Sequence, residues 1–468
     1  MQSSRSLTEG AIAPRLFQFA LPILLGNVLQ SLNGSVNSFW VGKFLGEAAL
    51  TATSNSNTVL FLLLSAVFGA SMAATILVGQ YLGAQRLYDA KRVVGTSATF
   101  SLVVSLLMTV LGLIFCRPLL TAMSTPAEAL PLAISYMRML FLALPFLCLV
   151  TFVMSVLRGA GDAKTPLYFM LLSVGLDIVL NPILIFGFGP IPKFGIMGSS
   201  MATLVAQAVG LVALVAYLYR RNHTLCLHGD EIKLLRMDLT IVGALIAKGV
   251  PMGLQLIVMS SSIVLIMTLV NRFGIETAAA FGAGFQVWNY VQMPAFAIGM
   301  AVSSMAAQNV GAQMWDRVAS VARAGLLFNL VLTGSLVVII QIFAHFFLGL
   351  FLPEGSRALD IAVHMNHIVA WSFVFFGLAI VVFGVVRATG AVVMPLVILV
   401  LSLLLVRFPF AELFLDRLGA DAIWWSFPVS SLVALILAAL YYKYGNWRQA
   451  RMMAPDAAKA AITPAPLE

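Results

Sequence analysis

Long apolar runs recur along the chain, separated by short stretches that contain Gly, Pro and charged residues. A helix needs about 20 apolar residues to cross the hydrocarbon core of a bilayer, and each run is long enough. An outer-membrane barrel would instead show short segments of alternating polarity, which are absent from the sequence. The pattern predicts an all-α integral membrane protein with about twelve spans, at roughly residues 15–42, 53–80, 94–116, 133–157, 167–188, 195–219, 242–270, 278–306, 319–350, 361–386, 391–414 and 421–445.

Composition and charge agree with this prediction. The chain is 61% hydrophobic and 10% charged, whereas a soluble domain carries roughly 25% charged residues. Its net charge of +9 follows from Lys and Arg in alternate loops, nineteen on the side of the termini against six on the other. Because basic residues collect on cytoplasmic loops, we expect a multi-pass inner-membrane protein with both termini in the cytoplasm and no nucleic-acid partner.

The chain also repeats itself at a nearly constant offset. Residues 155–166, "SVLRGAGDAKTP", match residues 384–395, "GVVRATGAVVMP", at an offset of 229. Residues 79–85 match residues 307–313 at an offset of 228. The repeat predicts two six-helix bundles in parallel orientation, with a binding site near the midplane between them.

The repeat and the tails predict five segments. Each lobe should hold six helices, a basic loop should join the lobes, and polar tails should flank them. The segments are a cytoplasmic tail (1–14), a first lobe (15–219), a cytoplasmic interlobe loop (220–241), a second lobe (242–447) and a disordered cytoplasmic tail (448–468).

One acidic residue stands out within the spans. Of 18 Asp and Glu residues, only Asp177 lies well inside an apolar run. A charge at that depth is costly, and such residues usually face a cavity or a partner on an ion pathway. Asn181 follows one helical turn later on the same face, and Pro182 frees a backbone carbonyl about one turn earlier.

Other polar residues can complete a cluster around Asp177. The first span carries a stripe of Gln30, Asn33 and Asn37, and Thr203 lies early in the sixth span. One carboxylate among amide and hydroxyl oxygens suits a proton or Na⁺, so we expect Asp177, Asn181, Asn37 and Thr203 to form an ion-coupling site. The alternative is that the amides only join helices, as they commonly do in membranes.

The second half shows no such cluster at the repeat offset. An offset of 229 pairs Asp177 with Val406 and Asn181 with Phe410. Ion coupling is therefore expected in the first half alone. Arg407 is interpreted as a structural residue, near the outer end of its span or paired with a carbonyl.

A second polar pattern occupies the seventh and eighth spans. Amide, aromatic and thioether groups there recur at helical spacing, and Met repacks easily around varied guests. Ordinary interhelical packing is an equally open interpretation. The residues expected to line a substrate cleft between the lobes are Gln255, Met259, Gln286, Asn289, Tyr290 and Met293.

Signatures of other chemistry are missing from the sequence. There is no phosphate-binding GxxxxGK[ST] motif and no metal-binding HExxH motif, so we expect neither an ATP-driven pump nor a cofactor. His364 and His367 lie three residues apart early in the tenth span and are interpreted as interfacial, not as a metal-ligand pair.

Several stretches, in their order and spacing, resemble the multidrug and toxic compound extrusion (MATE) family over essentially the whole chain outside the tails. They are "VNSFWVGKFLGEAALTA", "GQYLGAQ", "LRGAGDAKTP", "IVLNPILIFG", "FGIETAAAFGAGFQ" and "AQNVGAQ". The resemblance implies a two-lobed, twelve-helix exporter, expected to act as a monomer, that exchanges H⁺ or Na⁺ for cationic or amphipathic compounds.

Individual positions favour the DinF-like branch of that family. Its fifth helix often reads Asn-x-x-x-Asp-Pro, and here Asp177 and Asn181 have exchanged places before Pro182. Asn37 stands where the family often has Asp in its first helix, so the site has lost an acid, which favours H⁺ slightly over Na⁺. Acids of the NorM-like branch correspond to Met259 and Phe376, so that mechanism does not transfer.

The sequence leaves two other functions open. A flippase for lipid-linked saccharides would need intramembrane Lys or Arg for its pyrophosphate, and only Arg138 and Arg407 fall within spans, near their ends. A membrane-embedded enzyme would need a second catalytic group near Asp177.

Overall fold

The computed structural model describes residues 7–452, which are almost entirely helical. Residues 1–6 and 453–468 of the predicted tails lie outside this range. The helices are α1 (Ile12–Leu45), α2 (Glu47–Gly83), α3 (Leu87–Ala122), α4 (Leu130–Gly159), α5 (Lys164–Phe186), α6 (Ile196–Arg220), α7 (Leu239–Val270), α8 (Ile275–Gly311), α9 (Trp315–Ile342), α10 (Ala344–Gly349), α11 (Arg357–Val369), α12 (Ser372–Arg387), α13 (Val393–Leu399), α14 (Arg407–Leu418) and α15 (Asp421–Tyr444).

The predicted all-α membrane fold is confirmed. Within the described residues, eleven helices or helix runs are long and apolar enough to cross a membrane. The pair α11 and α12, bent by 43°, raises the number to twelve if it forms one span. A π-helical segment (Val400–Val406) joins α13 to α14 into one continuous apolar run.

The described residues form two compact units. Unit 1 comprises Leu25–Val250, and unit 2 comprises residues 7–24 together with residues 251–452. The divisions fall inside α1, after Leu24, and inside α7, after Val250, close to Pro22 and Pro251 at equivalent places in the repeat. The sequence-based lobes, 15–219 and 242–447, remain a prediction.

Unit 1 is packed around α2, α3 and α4. Met137 and Phe141 of α4 are buried with Cys116 of α3 in one hydrophobic cluster. The Thr75 hydroxyl of α2 donates to the Ser155 carbonyl of α4 over 2.9 Å. Small residues that let helix backbones approach closely are the usual means of packing in lipid, where helix association has no hydrophobic driving force.

Unit 2 is held by an aromatic cluster. Trp288 of α8 and Trp424 of α15 are 1% exposed. Both rings lie near Phe281, and Phe427 lies near Phe281 and Trp288. The Trp288 indole N–H donates to Asn366 over 3.0 Å, so the one polar atom of this ring is satisfied. Aromatic pairs of this kind add stability beyond the area that they bury.

The connection between α6 and α7 is tied to unit 1. It contains a short 3₁₀ turn (Gly229–Leu235), in which Glu231 accepts hydrogen bonds from the Lys91 ammonium at 2.7 Å. These bonds and the His228 backbone N–H lower the pKa of the Glu231 carboxyl. Arg92 pairs with Asp238, so the two basic residues at the start of α3 neutralise two acids of the connection.

The C-terminal end of the described chain is also packed. Trp447 is 1% exposed and Met452 is 3% exposed. Gly390, at φ +103°, brings its backbone close to Arg451. The sequence predicts a disordered tail from Arg448, whereas packed structure continues to Met452.

Candidate functional site

The structure places Asp177 at the centre of a buried polar cluster in unit 1. Asp177 is 1% exposed. Its Oδ2 accepts a hydrogen bond from the Asn33 amide at 2.8 Å and another from the Asn37 amide at 3.2 Å. The Thr203 hydroxyl lies 3.3 Å from Oδ1 and 3.4 Å from Oδ2. Helix α5 therefore carries the carboxylate, and α1 and α6 supply the side chains that donate to it.

Asn181 belongs to the same cluster, although it does not bond to the carboxylate directly. It is 0% exposed, and its amide donates to the Asn37 oxygen over 2.6 Å. Asn37 thus receives a hydrogen bond from one residue of α5 and gives one to Asp177, another residue of α5. The i, i+4 spacing of Asp177 and Asn181 produces this two-point contact with α1.

Close packing of α5 against α6 brings Thr203 to the carboxylate. A methyl group at Gly198 would collide with the Leu184 carbonyl, and one at Gly210 would collide with the Ser173 hydroxyl. These two glycines of α6 lie on either side of Thr203 along the helix. Their lack of side chains lets α6 approach α5 closely enough for the threonine hydroxyl to reach Asp177.

The hydrogen bonds of the cluster leave oxygen atoms available. All contacts to Asp177 come from donors, which suits an ionised carboxylate. The Asn33 and Asn181 side-chain oxygens are buried without a hydrogen-bond partner. Two orphan amide oxygens beside a carboxylate can receive a cation or a proton donor, because a buried polar atom left unpaired is costly.

Asn33 is the contact that the sequence-based site did not include. It was assigned to the polar stripe of the first span, yet it makes the shortest hydrogen bond to Asp177. Gln30 of the same stripe is exposed in the structure. The i, i+3 spacing put both residues on one face, and only the three-dimensional packing distinguishes them.

The six residues expected in a substrate cleft fall into different environments. Gln255 is 4% exposed, accepts from Arg387 over 3.2 Å and donates to the Val392 carbonyl over 3.4 Å. Its side chain is therefore hydrogen-bonded in the interior of unit 2. Tyr290 is 40% exposed and Gln286 is also exposed, whereas the three partly buried residues are Met259, Asn289 and Met293.

Arg407 differs from its sequence-based interpretation. It is 6% exposed and is paired with neither a carbonyl nor an acid among residues 7–452. Its Nε donates to Ser430 over 2.9 Å and one terminal nitrogen donates to Ser262 over 3.3 Å. The guanidinium carbon lies 4.4 Å from the centre of the Phe427 ring.

The two histidines of α11 bind different partners. His364 lies 2.9 Å from Asp421, and His367 lies 2.7 Å from Gln341. Both contacts join α11 to a neighbouring helix, and the interfacial interpretation stays a prediction. Within the described part of the chain, no group of three or more His, Cys, Asp or Glu residues could hold a metal ion.

Comparison with known proteins gives the family. The sequence profile described as MatE matches residues 22–183 and 251–413, more than half of the chain. "Probable multidrug resistance protein YoeA" of Bacillus subtilis is 37% identical over 91% of this chain and 92% of its own. An "FAD transporter" of Shewanella oneidensis is 26% identical over 94% of this chain and 96% of its own.

A solved structure gives the same fold. It is described as the outward-facing conformation of a multidrug resistance MATE family transporter, and it has a TM-score of 0.86 at 21% identity. The match covers 95% of this chain and 97% of the solved chain. The chain belongs to the MatE family of multidrug efflux transporters, whose members are transporters and not enzymes.

Proposed function

We propose that the protein exports cationic or amphipathic compounds in exchange for H⁺ or Na⁺ by alternating access. The observation that carries this proposal is the Asp177 cluster, a carboxylate with 1% exposure inside an apolar helix. Such a residue is costly in a membrane and usually marks an ion pathway. The multidrug resistance name of the YoeA relative supports a drug-like cargo.

The coupling ion would bind at Asp177 with help from three polar neighbours. Asn37, Asn181 and Thr203 are the expected partners, and Asn33 joins them because of its 2.8 Å contact. A proton would neutralise the carboxylate directly. Na⁺ would need the orphan oxygens of Asn33 and Asn181 as additional ligands. We favour H⁺ slightly, since Asn37 has replaced the acid that the family often has there.

Cargo would contact the exposed polar face of α8. Tyr290 and Gln286 are the exposed members of that face, and an aromatic ring beside an amide suits a flat organic cation. Met259, Asn289 and Met293 would adapt to different shapes. Gln255 would act indirectly, by holding Arg387.

The organisation of the protein in the cell follows from the charge pattern and the repeat. We infer a monomer with two six-helix lobes, 15–219 and 242–447, in the cytoplasmic membrane. Both termini and the 220–241 connection would face the cytoplasm because Lys and Arg are concentrated there. The exchange of Asp and Asn in α5 favours the DinF-like branch.

A flippase-like export of anionic cargo is the second candidate. The sequence places Arg138 and Arg407 near span ends, which disfavours anionic cargo, but Arg407 is 6% exposed inside the α13–α14 run. A relative named FAD transporter shows that a nucleotide carrier occurs among similar proteins. FAD carries a pyrophosphate, for which a buried guanidinium is a suitable partner.

A vesicle experiment tests the proposed exchange. Purified protein in proteoliposomes would be given a fluorescent organic cation together with an imposed H⁺ gradient or an imposed Na⁺ gradient, each alone. We expect one gradient to drive accumulation of the dye against its concentration, and empty liposomes serve as the control. Dye movement that neither gradient accelerates would exclude ion-coupled export.

A further inference from the structure

Arg407 is a buried cation that the proposed ion coupling does not use. It follows the π-helical segment Val400–Val406 and lies in the interior of an apolar run that extends from Val393 to Leu418. With 6% of its surface exposed, it is shielded but not completely closed off. An arginine at such depth is costly and usually faces a cavity or a partner.

The contacts of Arg407 do not neutralise its charge. Two of its five N–H groups donate to the hydroxyls of Ser262 and Ser430, and the ring of Phe427 lies 4.4 Å away. Among residues 7–452, no carboxylate forms an ion pair with it. The nearby acid Glu412 is paired with Arg272 at 3.0 Å.

This site corresponds to the Asp177 site of the first half. Helices α5 and α13 begin 229 residues apart, at Lys164 and Val393. A π segment accommodates an extra residue in a helix, so the residue equivalent to Asp177 becomes Arg407, at an offset of 230. The family profile supports the shift. Its two matches begin 229 residues apart, at residues 22 and 251, but end 230 residues apart, at residues 183 and 413.

The neighbours of the two charges correspond as well. Asn33, which donates to Asp177, pairs with Ser262 at an offset of 229. Gly195 precedes α6 and Gly419 precedes α15, and both glycines have the same φ of +59°. Aligning α6 with α15 on these two glycines pairs Thr203 with Phe427. The Asp177 site of unit 1 thus has a positional counterpart in the Arg407 site of unit 2, with a buried charge of opposite sign.

We propose that Arg407 binds an oxyanion, a carboxylate or phosphate group carried by an amphipathic cargo. The inference rests on the proposed export function, since it names a substrate class for it. The guanidinium is a planar fork that matches both groups, and three of its N–H groups remain available. The guanidinium is held in one orientation by its contacts with Ser262, Ser430 and Phe427. The Arg407 side chain therefore loses little conformational freedom when an oxyanion binds.

A matched pair of dyes tests this directly. Rhodamine B carries a free carboxylate, and its ethyl ester keeps the same cationic ring system without that charge. Equilibrium binding of both dyes would be measured on the full chain in nanodiscs of neutral phosphatidylcholine. We expect the wild type to bind the carboxylate dye about tenfold more tightly than the ester, the size of one charge-assisted hydrogen bond.

Three variants separate recognition from folding. Arg407→Gln should abolish the preference while leaving binding of the ester nearly unchanged, and Arg407→Lys should keep part of it. Arg138→Gln, an identical change at an exposed arginine of α4, should leave the preference intact. If Arg407→Gln does not fold, the wild-type comparison and Arg407→Lys still decide the question.

Several results would overturn the inference. The wild type could show no preference for the carboxylate dye, or could bind neither dye. Alternatively, the preference could survive in Arg407→Gln. Loss of the preference when the nanodiscs contain anionic phosphatidylglycerol, with binding of the ester no tighter than in phosphatidylcholine, would mean that an anionic lipid headgroup occupies the site instead of cargo. Because binding needs no ion gradient, these results are independent of whether export is ion-coupled.

Discussion

Replacing Asn33 by Ala tests the structure of the coupling site most specifically, because Asn33 was not in the sequence-based site. Its amide donates to Asp177 over 2.8 Å, whereas Asn37 and Thr203 lie at 3.2 Å and at least 3.3 Å. A hydrogen bond to a charged group contributes about 1.5–3 kcal/mol, and 1.4 kcal/mol corresponds to about a tenfold change in population. We therefore expect Asn33→Ala to lower the initial rate of gradient-driven export at least about tenfold.

The assay compares Asn33→Ala with Gln30→Ala in proteoliposomes that contain equal amounts of protein. Gln30 belongs to the same polar stripe but is exposed, so its variant should export at close to the wild-type rate. Thermal unfolding of each variant checks that the fold is kept. Wild-type export by Asn33→Ala, or equal impairment of both variants, would refute the assignment of Asn33 to the coupling site.

Three further predictions concern coupling, cargo and topology. The double variant Asp177→Asn with Asn181→Asp should keep part of the gradient-driven export, since both positions contact α1 from one face of α5; complete inactivity would count against a shared site. Tyr290→Ala should change which drugs a cell resists at unchanged protein abundance, whereas Gln255→Ala should mainly lower the melting temperature, because Gln255 bonds to Arg387 in the interior; resistance profiles and thermal unfolding distinguish these outcomes. In a Cys-free background, a single Cys at Arg220 should react with a membrane-impermeant thiol reagent only from the cytoplasmic side, and labelling only from outside would invert the topology.

The sequence predicted the membrane fold and the charged centre for simple physical reasons. Apolar runs of spanning length have few alternatives to helices in lipid, so the all-α membrane fold, with eleven or twelve candidate spans among residues 7–452, and the MATE family were confirmed. The i, i+4 spacing of Asp177 and Asn181 correctly put both on one face of α5. The branch, the coupling ion and the lobe boundaries remain predictions.

The rest of the site depended on packing that periodicity does not contain. Helical spacing gives the face of a residue but not the neighbour that covers it, so the sequence could not show that Gln255 bonds to Arg387. The correspondence of Arg407 with Asp177 was not predicted because a constant offset pairs Asp177 with Val406. One extra residue in the π segment rotates the helix by about 100°, which brings the adjacent arginine to the equivalent position.

Gradient-driven export by Asp177→Asn tests the central claim. An amide at this position can still accept from Asn33, and the Thr203 hydroxyl can turn to accept its N–H, so the variant should fold with a costly buried charge removed. We expect it to let dye equilibrate but to lose accumulation driven by either an H⁺ or an Na⁺ gradient. Glu412→Gln, which removes an exposed acid paired with Arg272, should accumulate dye normally. Accumulation by Asp177→Asn at the wild-type rate under an imposed gradient would contradict the account.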